Sequence, residues 1–116
     1  MNNSLIGTGK NLFIHGRVFK ITFLNFSNGC FLSITEGIEE RIGSLTLSMR
    51  IHDKVEHTII IPENRGGVFS SILSELVASV IQGLIIVSLY LLDRLSSDVA
   101  KDLLKEIRDF LNTNKK

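Results

Sequence analysis

The chain has no tryptophan and only one tyrosine, one proline and one cysteine in 116 residues. With Cys30 alone, no intramolecular disulfide can form, which excludes a small disulfide-stapled scaffold. The single proline, Pro62, excludes a Pro-rich linker and leaves most of the chain open to strand and helix. An excess of one charge is also missing. Thirteen basic side chains face twelve acidic ones, for a net charge of +1, and so balanced a chain has no broad field for a nucleic acid or an anionic membrane. A hydrophobic fraction of 44% with no long charge block excludes a disordered tail and a coiled coil. A chain of this length buries roughly 60–70% of its unfolded surface, enough for one core. Residues Met1 to Gly7 carry neither a basic start nor a long apolar run, so no secretory signal is expected and the reading is cytoplasmic. The triplets Asn2-Asn3-Ser4 and Asn25-Phe26-Ser27 then carry no weight as glycosylation sites.

Hydrophobic periodicity organises what is present. Residues 1–10 read as a loose N-terminal arm, and residues 11–116 as one domain. Leu12 to Ile14 is a short apolar strand, His15-Gly16 a turn, and Arg17 to Phe26 a long alternating strand. Ser27-Asn28-Gly29 offers residues that tolerate positive φ in a tight hairpin before a strand from Cys30 to Glu36. Glu36 to Arg41 is an acidic connection. Ile42 to Ile51 alternates Leu45, Leu47 and Met49 with Ser44, Thr46 and Ser48, and Val55 to Ile61 is a β-branched strand ended by Pro62.

Beyond Glu63-Asn64-Arg65-Gly66-Gly67, residues Phe69, Ile72, Leu73, Leu76, Val77, Val80 and Ile81 recur at helical spacing. The opposite face of that helix, Ser70, Ser71, Ser74, Glu75, Ala78, Ser79 and Gln82, is small and weakly charged, suited to solvent or a partner. Ile72 to Leu92 is long enough to span a bilayer, but Glu75, Gln82 and several serines interrupt it, and the period changes at Gly83. A helix followed by a central strand, Leu84 to Leu91, is expected. Ser96 or Ser97 can cap a last helix whose stripe is Val99, Leu103, Leu104, Ile107, Phe110 and Leu111, ending near Asn112. The class is therefore α+β: a single antiparallel β-sheet of about five to six strands with two helices, in the order strands, helix, strand, helix.

No constellation of catalytic residues is visible. Gly7-Thr8-Gly9-Lys10 lacks the first glycine and the Ser/Thr of a phosphate-binding loop. Gly66-Gly67 before a helix could hold an anion, but a hinge from strand to helix accounts for it better, because no further phosphate ligand follows beyond Arg65. His52 and His57 are separated by an odd number of positions, which on a strand points the rings to opposite faces, so no metal site is expected. Cys30 has no partner cysteine and no adjacent base, and Glu36, Glu39 and Glu40 crowd one connection where solvated carboxylates are expected. No enzyme activity, cofactor or metal is expected.

Face counting points to a partner instead. Helices on one side would cover Leu45, Leu47 and Met49, leaving Leu84, Ile86 and Tyr90 of the last strand on the second face beside Val18, Thr22, Leu24 and a Ser/Thr row. A bare, semi-apolar sheet face predicts a dimer. The residues expected to meet the second copy are Thr46, Ser48, Thr58, Ile60, Ile86, Ser88 and Tyr90.

The segment Lys10-Asn11-Leu12-Phe13-Ile14-His15-Gly16, then Phe26-Ser27-Asn28-Gly29, Ser33-Ile34-Thr35-Glu36-Gly37 and Ile42-Gly43-Ser44-Leu45, resembles the proteasome assembly chaperone 3 family. Val68-Phe69, Glu75-Leu76-Val77-Ala78, Gln82, the strand Leu84 to Leu89 and Leu104-Lys105-Glu106-Ile107-Arg108 fall where that family has its helix, strand and last helix. The chaperone 4 family has a similar layout. The resemblance covers roughly residues 10–111. It implies a non-enzymatic chaperone, a homodimer or a heterodimer with a chaperone 4-like protein, that assists assembly of the 20S proteasome α-ring by binding an α subunit. It also implies no hydrophobic-Tyr-X tail of the kind another chaperone pair inserts into the ring, and the chain ends Thr113-Asn114-Lys115-Lys116. One departure stands out: the family's longer loop between two large strands is here a tight turn from Met49 to Val55. The charged turns that could hold the α subunit are Glu39, Glu40 and Arg41 at one end of the sheet and His52, Asp53 and Lys54 at the other. The alternative is a roadblock- or longin-like scaffold module that binds a small GTPase or a trafficking complex. Such folds place a helix first or among the early strands, and no helix is expected here before Gly66.

Overall fold

In the computed structural model, which describes residues 7–62 and 69–114, every strand joins one sheet. The elements are β1 (Thr8–Ile14), β2 (Arg17–Phe26), β3 (Gly29–Glu36), β4 (Ser44–Ile51), β5 (Lys54–Ile61), α1 (Phe69–Val80), β6 (Leu84–Tyr90) and α2 (Ser97–Asn114). The sheet order is β1-β2-β3-β6-β4-β5. The meander β1-β2-β3 and the hairpin β4-β5 are antiparallel, and β6 enters between them. It pairs antiparallel with β4 and parallel with β3. The α+β class and element order agree with the sequence expectation, and the sheet is mixed because a helical crossover delivers β6 to the centre. β1 starts at Thr8, so residues 8–10 pair with β2 where a loose arm was expected. The rest of that expected arm, residues 1–6, and the Gly66-Gly67 linker lie outside the described residues, as do Lys115 and Lys116 of the tail.

The turns explain two of the three histidines. His15 and Gly16 have φ of 49° and 79°, positive at both central positions as in the hairpin turns that match strand twist. His52, φ 59°, opens the turn between β4 and β5. Histidine is among the side chains enriched at such angles. Ser27-Asn28-Gly29 behaves differently from expectation, because neither Asn28 nor Gly29 has positive φ. Gly29 is needed for close approach: a Cβ there would stand 2.0 Å from the carbonyl oxygen of Leu84, where β6 lies against β3.

The core occupies one side of the sheet. Leu12, Ile14, Phe19, Ile21, Phe23, Leu32, Ile34, Ile85, Val87 and Leu89 face α1 and α2, which bury Leu73, Val77, Leu103, Ile107 and Leu111. Phe23 and Phe110 meet edge to face with centroids 6.3 Å apart. Ser96 caps α2, its Oγ accepting from Val99 N at 3.3 Å. At the end of α1 the Arg50 guanidinium donates to Ala78 O at 3.0 Å, satisfying a last-turn carbonyl.

The face assignment of β4 is the main correction. Thr46 pairs with Val87 and Ser48 with Ile85, so Ser44, Thr46 and Ser48 lie on the helix side, each buried. The small stripe of α1 is not free either: Ser70, Ser74 and Ala78 are buried, and Ser44 Oγ lies 3.2 Å from Ser70 Oγ. Small residues on both surfaces let α1 sit close over β4, and close packing rather than side-chain volume fills this part of the core. Among the described residues, Ser48 Oγ is buried with no hydrogen-bond partner. Ser48→Ala should therefore raise stability by about 1 kcal/mol, since it removes a desolvated hydroxyl that gains nothing in return. A higher urea midpoint at unchanged m-value checks this.

Candidate functional site

With both helices on one side, no described element lies over the other face of the sheet. Strand register lays its side chains out in rows. Leu24, Phe31, Ile86, Leu47 and Thr58 are consecutive partners across five strands, and beside them runs the row Phe26, Gly29, Leu84, Met49 and Glu56. Phe26, Leu84 and Met49 are exposed, and Leu24, Phe31, Leu45, Leu47, Ile86 and Tyr90 half-buried. Toward the opposite end the row Lys20, Thr35 and Tyr90 is polar. The face thus grades from apolar, at the β2–β3 and β4–β5 turns, to polar where β3 and β6 end.

The connection from β3 to β4 borders that polar end. Thr35 Oγ1 donates to Arg41 O at 3.2 Å, Lys20 pairs with Glu40, and Arg41 Nη2 donates to Glu39 Oε1 at 2.7 Å. The Arg41 guanidinium lies over the Tyr90 ring, 5.6 Å from its centroid. All three charges of this turn are therefore engaged within the chain, while Ile38 and Ile42 stand out at 95% and 72% exposure. At the other end His52, Asp53 and Lys54 are exposed, and none of them makes an ion pair among the described residues.

Of the residues expected at the dimer contact, Thr58, Ile86 and Tyr90 share the uncovered face; Ser88 points the same way but is fully buried, its Oγ accepting from Gly43 N at 3.1 Å, and Ile60 is exposed at the bulge where the β4–β5 register shifts. Thr46 and Ser48 are not on that face; both lie beneath α1. Sequence reasoning missed Phe31, and it placed Leu45, Leu47 and Met49 on the wrong face. The signal was present, because the Ser70-Ser74-Ala78 stripe of α1 matches the Ser44-Thr46-Ser48 row and not the leucines. A second missed feature is structural. Arg17 grips Glu36 through two bonds of 2.8 and 2.7 Å and also donates to the carbonyls of Asp93 and Arg94. Glu36 Oε1 accepts from Leu92 N at 2.9 Å. Burial pushes the Glu36 carboxyl up, but the bonds from Arg17 and the backbone N–H groups of Leu92 and Asp93 outweigh it and hold it below its ordinary range. The residue expected in a solvated connection instead ties β2 and β3 to the segment entering α2.

The remaining candidates have ordinary placements. Burial pushes the Cys30 thiol up to about 11, which keeps it protonated and poorly nucleophilic at neutral pH. His57 Nε2 is 3.4 Å from Ser71 Oγ, and His52 stands in the turn. No group of three metal-ligating side chains forms among the described residues. No described helix is long and apolar enough to cross a membrane; Ile72 to Leu92 is α1 followed by β6.

No protein-family model matches the chain, and no curated protein sequence matches it. A solved structure does. The chain shares its fold with a chaperone complex for yeast 20S proteasome assembly. The superposition has a TM-score of 0.63 at 13% identity and covers 92% of this chain and 99% of the yeast one. At that identity the likeness is one of fold, and it extends over nearly the whole length of both chains.

Proposed function

We propose that the protein is a non-enzymatic chaperone of 20S proteasome assembly that dimerises through the uncovered sheet face and holds an α subunit of the ring. The observation that carries this reading is the likeness over almost the full length of both chains, together with a face whose shape and polarity suit a protein partner. Six strands about 4.8 Å apart and some seven residues long span roughly 29 by 23 Å. That is on the order of 650 Å² in projection, near the ~800 Å² each partner buries in a standard interface. Its apolar row, Leu24-Phe31-Ile86-Leu47, would lie at the centre, and the Lys20, Glu40 and Arg41 end at the rim. The second chain is a copy of this one or a chaperone 4-like protein. The scaffold-module reading loses ground on topology, since five strands precede α1.

For the α-subunit contact, the two charged turns differ in one respect. Glu39, Glu40 and Arg41 are engaged within the chain, so exchanging their partners would gain little. Asp53 and Lys54, with His52, have no such commitments and are the better contact. The test is co-expression with each 20S α subunit, followed by size exclusion. One α subunit should co-elute with the wild type at low salt and release as salt rises. Asp53→Lys with Lys54→Glu should abolish co-elution without changing the dimer or the melting temperature. If the wild type retains no α subunit at any salt, the assembly reading is wrong. If reversal at Glu39, Glu40 and Arg41 alone abolishes capture, the contact lies at the other end of the sheet.

A further inference from the structure

Helix α2 sorts its charges by flank. Lys101, Lys105 and Arg108 recur at i, i+4 and i+7 on one side of its outer surface, while Asp98, Asp102, Glu106 and Asp109 occupy the other. The cations border a shallow, open concavity whose described lining lies wholly on α2, the half-buried Ala100 and Leu104 among it. Asp102 also borders it, but its Oδ2 lies 2.7 Å from His15 Nε2 and is already partnered. None of the three cations makes an ion pair among the described residues, whereas Arg17, Lys20 and Arg41 all do.

We propose that this concavity on α2 binds an acidic protein segment, which sets carboxylates against Lys101, Lys105 and Arg108 and an apolar side chain against Leu104. The site goes beyond the assembly reading, because α2 lies across the sheet from the uncovered face and involves neither charged turn. Charge complementarity selects the occupant. A continuous phosphate backbone would run within one helix diameter, about 10 Å, of the carboxylate row and has no aliphatic group for Leu104. The net charge of +1 offers no long-range attraction to a polyanion or an anionic bilayer. A short segment with a few carboxylates and one leucine meets both features at once.

The test uses the full chain and a fluorescein-labelled helical peptide with glutamates at i, i+4 and i+7 flanking a leucine. Its glutamine counterpart, a single-stranded oligonucleotide and vesicles of anionic lipid serve as parallel probes. The acidic peptide should bind the wild type, weaken at least tenfold on Lys101→Glu with Lys105→Glu, and weaken with rising salt, while the glutamine peptide binds poorly. Both positions are exposed, and Lys101→Gln with Lys105→Gln provides a milder pair whose folding is checked by circular dichroism. Equal binding by wild type and both pairs overturns the proposal, as does stronger binding of the oligonucleotide or vesicles. Loss of self-association in either pair also overturns it, since the groove would then be occupied by a second copy. Because the probe is a peptide, failure to capture an α subunit bears on the assembly reading alone.

Discussion

Ile86→Asp is expected to convert the proposed dimer to a monomer that remains folded. Ile86 is the centre of the apolar row, flanked by Phe31 on β3 and Leu47 on β4, and its side chain is on the face away from the helices. In the monomer a carboxylate there meets water, so the fold tolerates it. In the dimer it would be buried opposite apolar side chains with no cation in its row, and an unpaired buried charge costs several kcal/mol. Dimerisation should weaken at least a hundredfold, which corresponds to about 2.8 kcal/mol. Light scattering across a concentration series, with thermal melting of the monomeric variant, measures it. Thr46→Asp makes a useful contrast: it places the charge under α1, so it should unfold the chain rather than dissociate it. If Ile86→Asp leaves the dimer intact, the uncovered face is not the contact.

Much of the fold was legible because its signals are local. The His15-Gly16 turn, the alternation from Arg17 to Phe26, the change of period at Gly83 and the Ser96 cap each follow from residues within a few positions of one another. The parallel pairing of β3 with β6 was not legible, because it depends on where a strand lands after a helical crossover. Close approach at Gly29 belongs to the same class: the atom that requires glycine there is the carbonyl of Leu84, more than fifty residues away.

The candidate site was half legible for a related reason. That one sheet face would lack cover followed from having two helices for six strands. Which residues of β4 occupy it did not, since the rule that apolar residues face the helices assigns Leu45, Leu47 and Met49 to the core. It failed because α1 presents serines and alanine to the sheet, and a small surface packs against a small surface. Once Ser44, Thr46 and Ser48 go beneath the helix, strand alternation places the leucines outside. Apolar residues on the uncovered side of a central strand have the pattern of a core awaiting its second half.

Arg17→Met should cost about 3 kcal/mol. Glu36 keeps 8% of its side chain exposed and Arg17 keeps 19%, so removing the guanidinium leaves a carboxylate facing backbone donors but no countercharge, and releases the carbonyls of Asp93 and Arg94 as well. Partial exposure of Arg17 admits some water, which places the estimate at the low end of the range for a broken buried pair. The same geometry sets a pH dependence. The folded-state pKa of Glu36 lies below the unfolded one, so its contribution is fully present above the unfolded value, near pH 4, and is lost as pH falls through the folded value. Wild type should thus lose stability as pH falls below about 4 more steeply than Glu36→Gln, whose neutral amide has no proton to take up. Urea midpoints for the wild type, Glu36→Gln and Arg17→Met at neutral pH and across that window decide it. Parallel curves for wild type and Glu36→Gln would show that the clamp does not hold the carboxylate charged, and a loss below 1 kcal/mol for Arg17→Met would show that β2, β3 and the entry to α2 are held by packing alone.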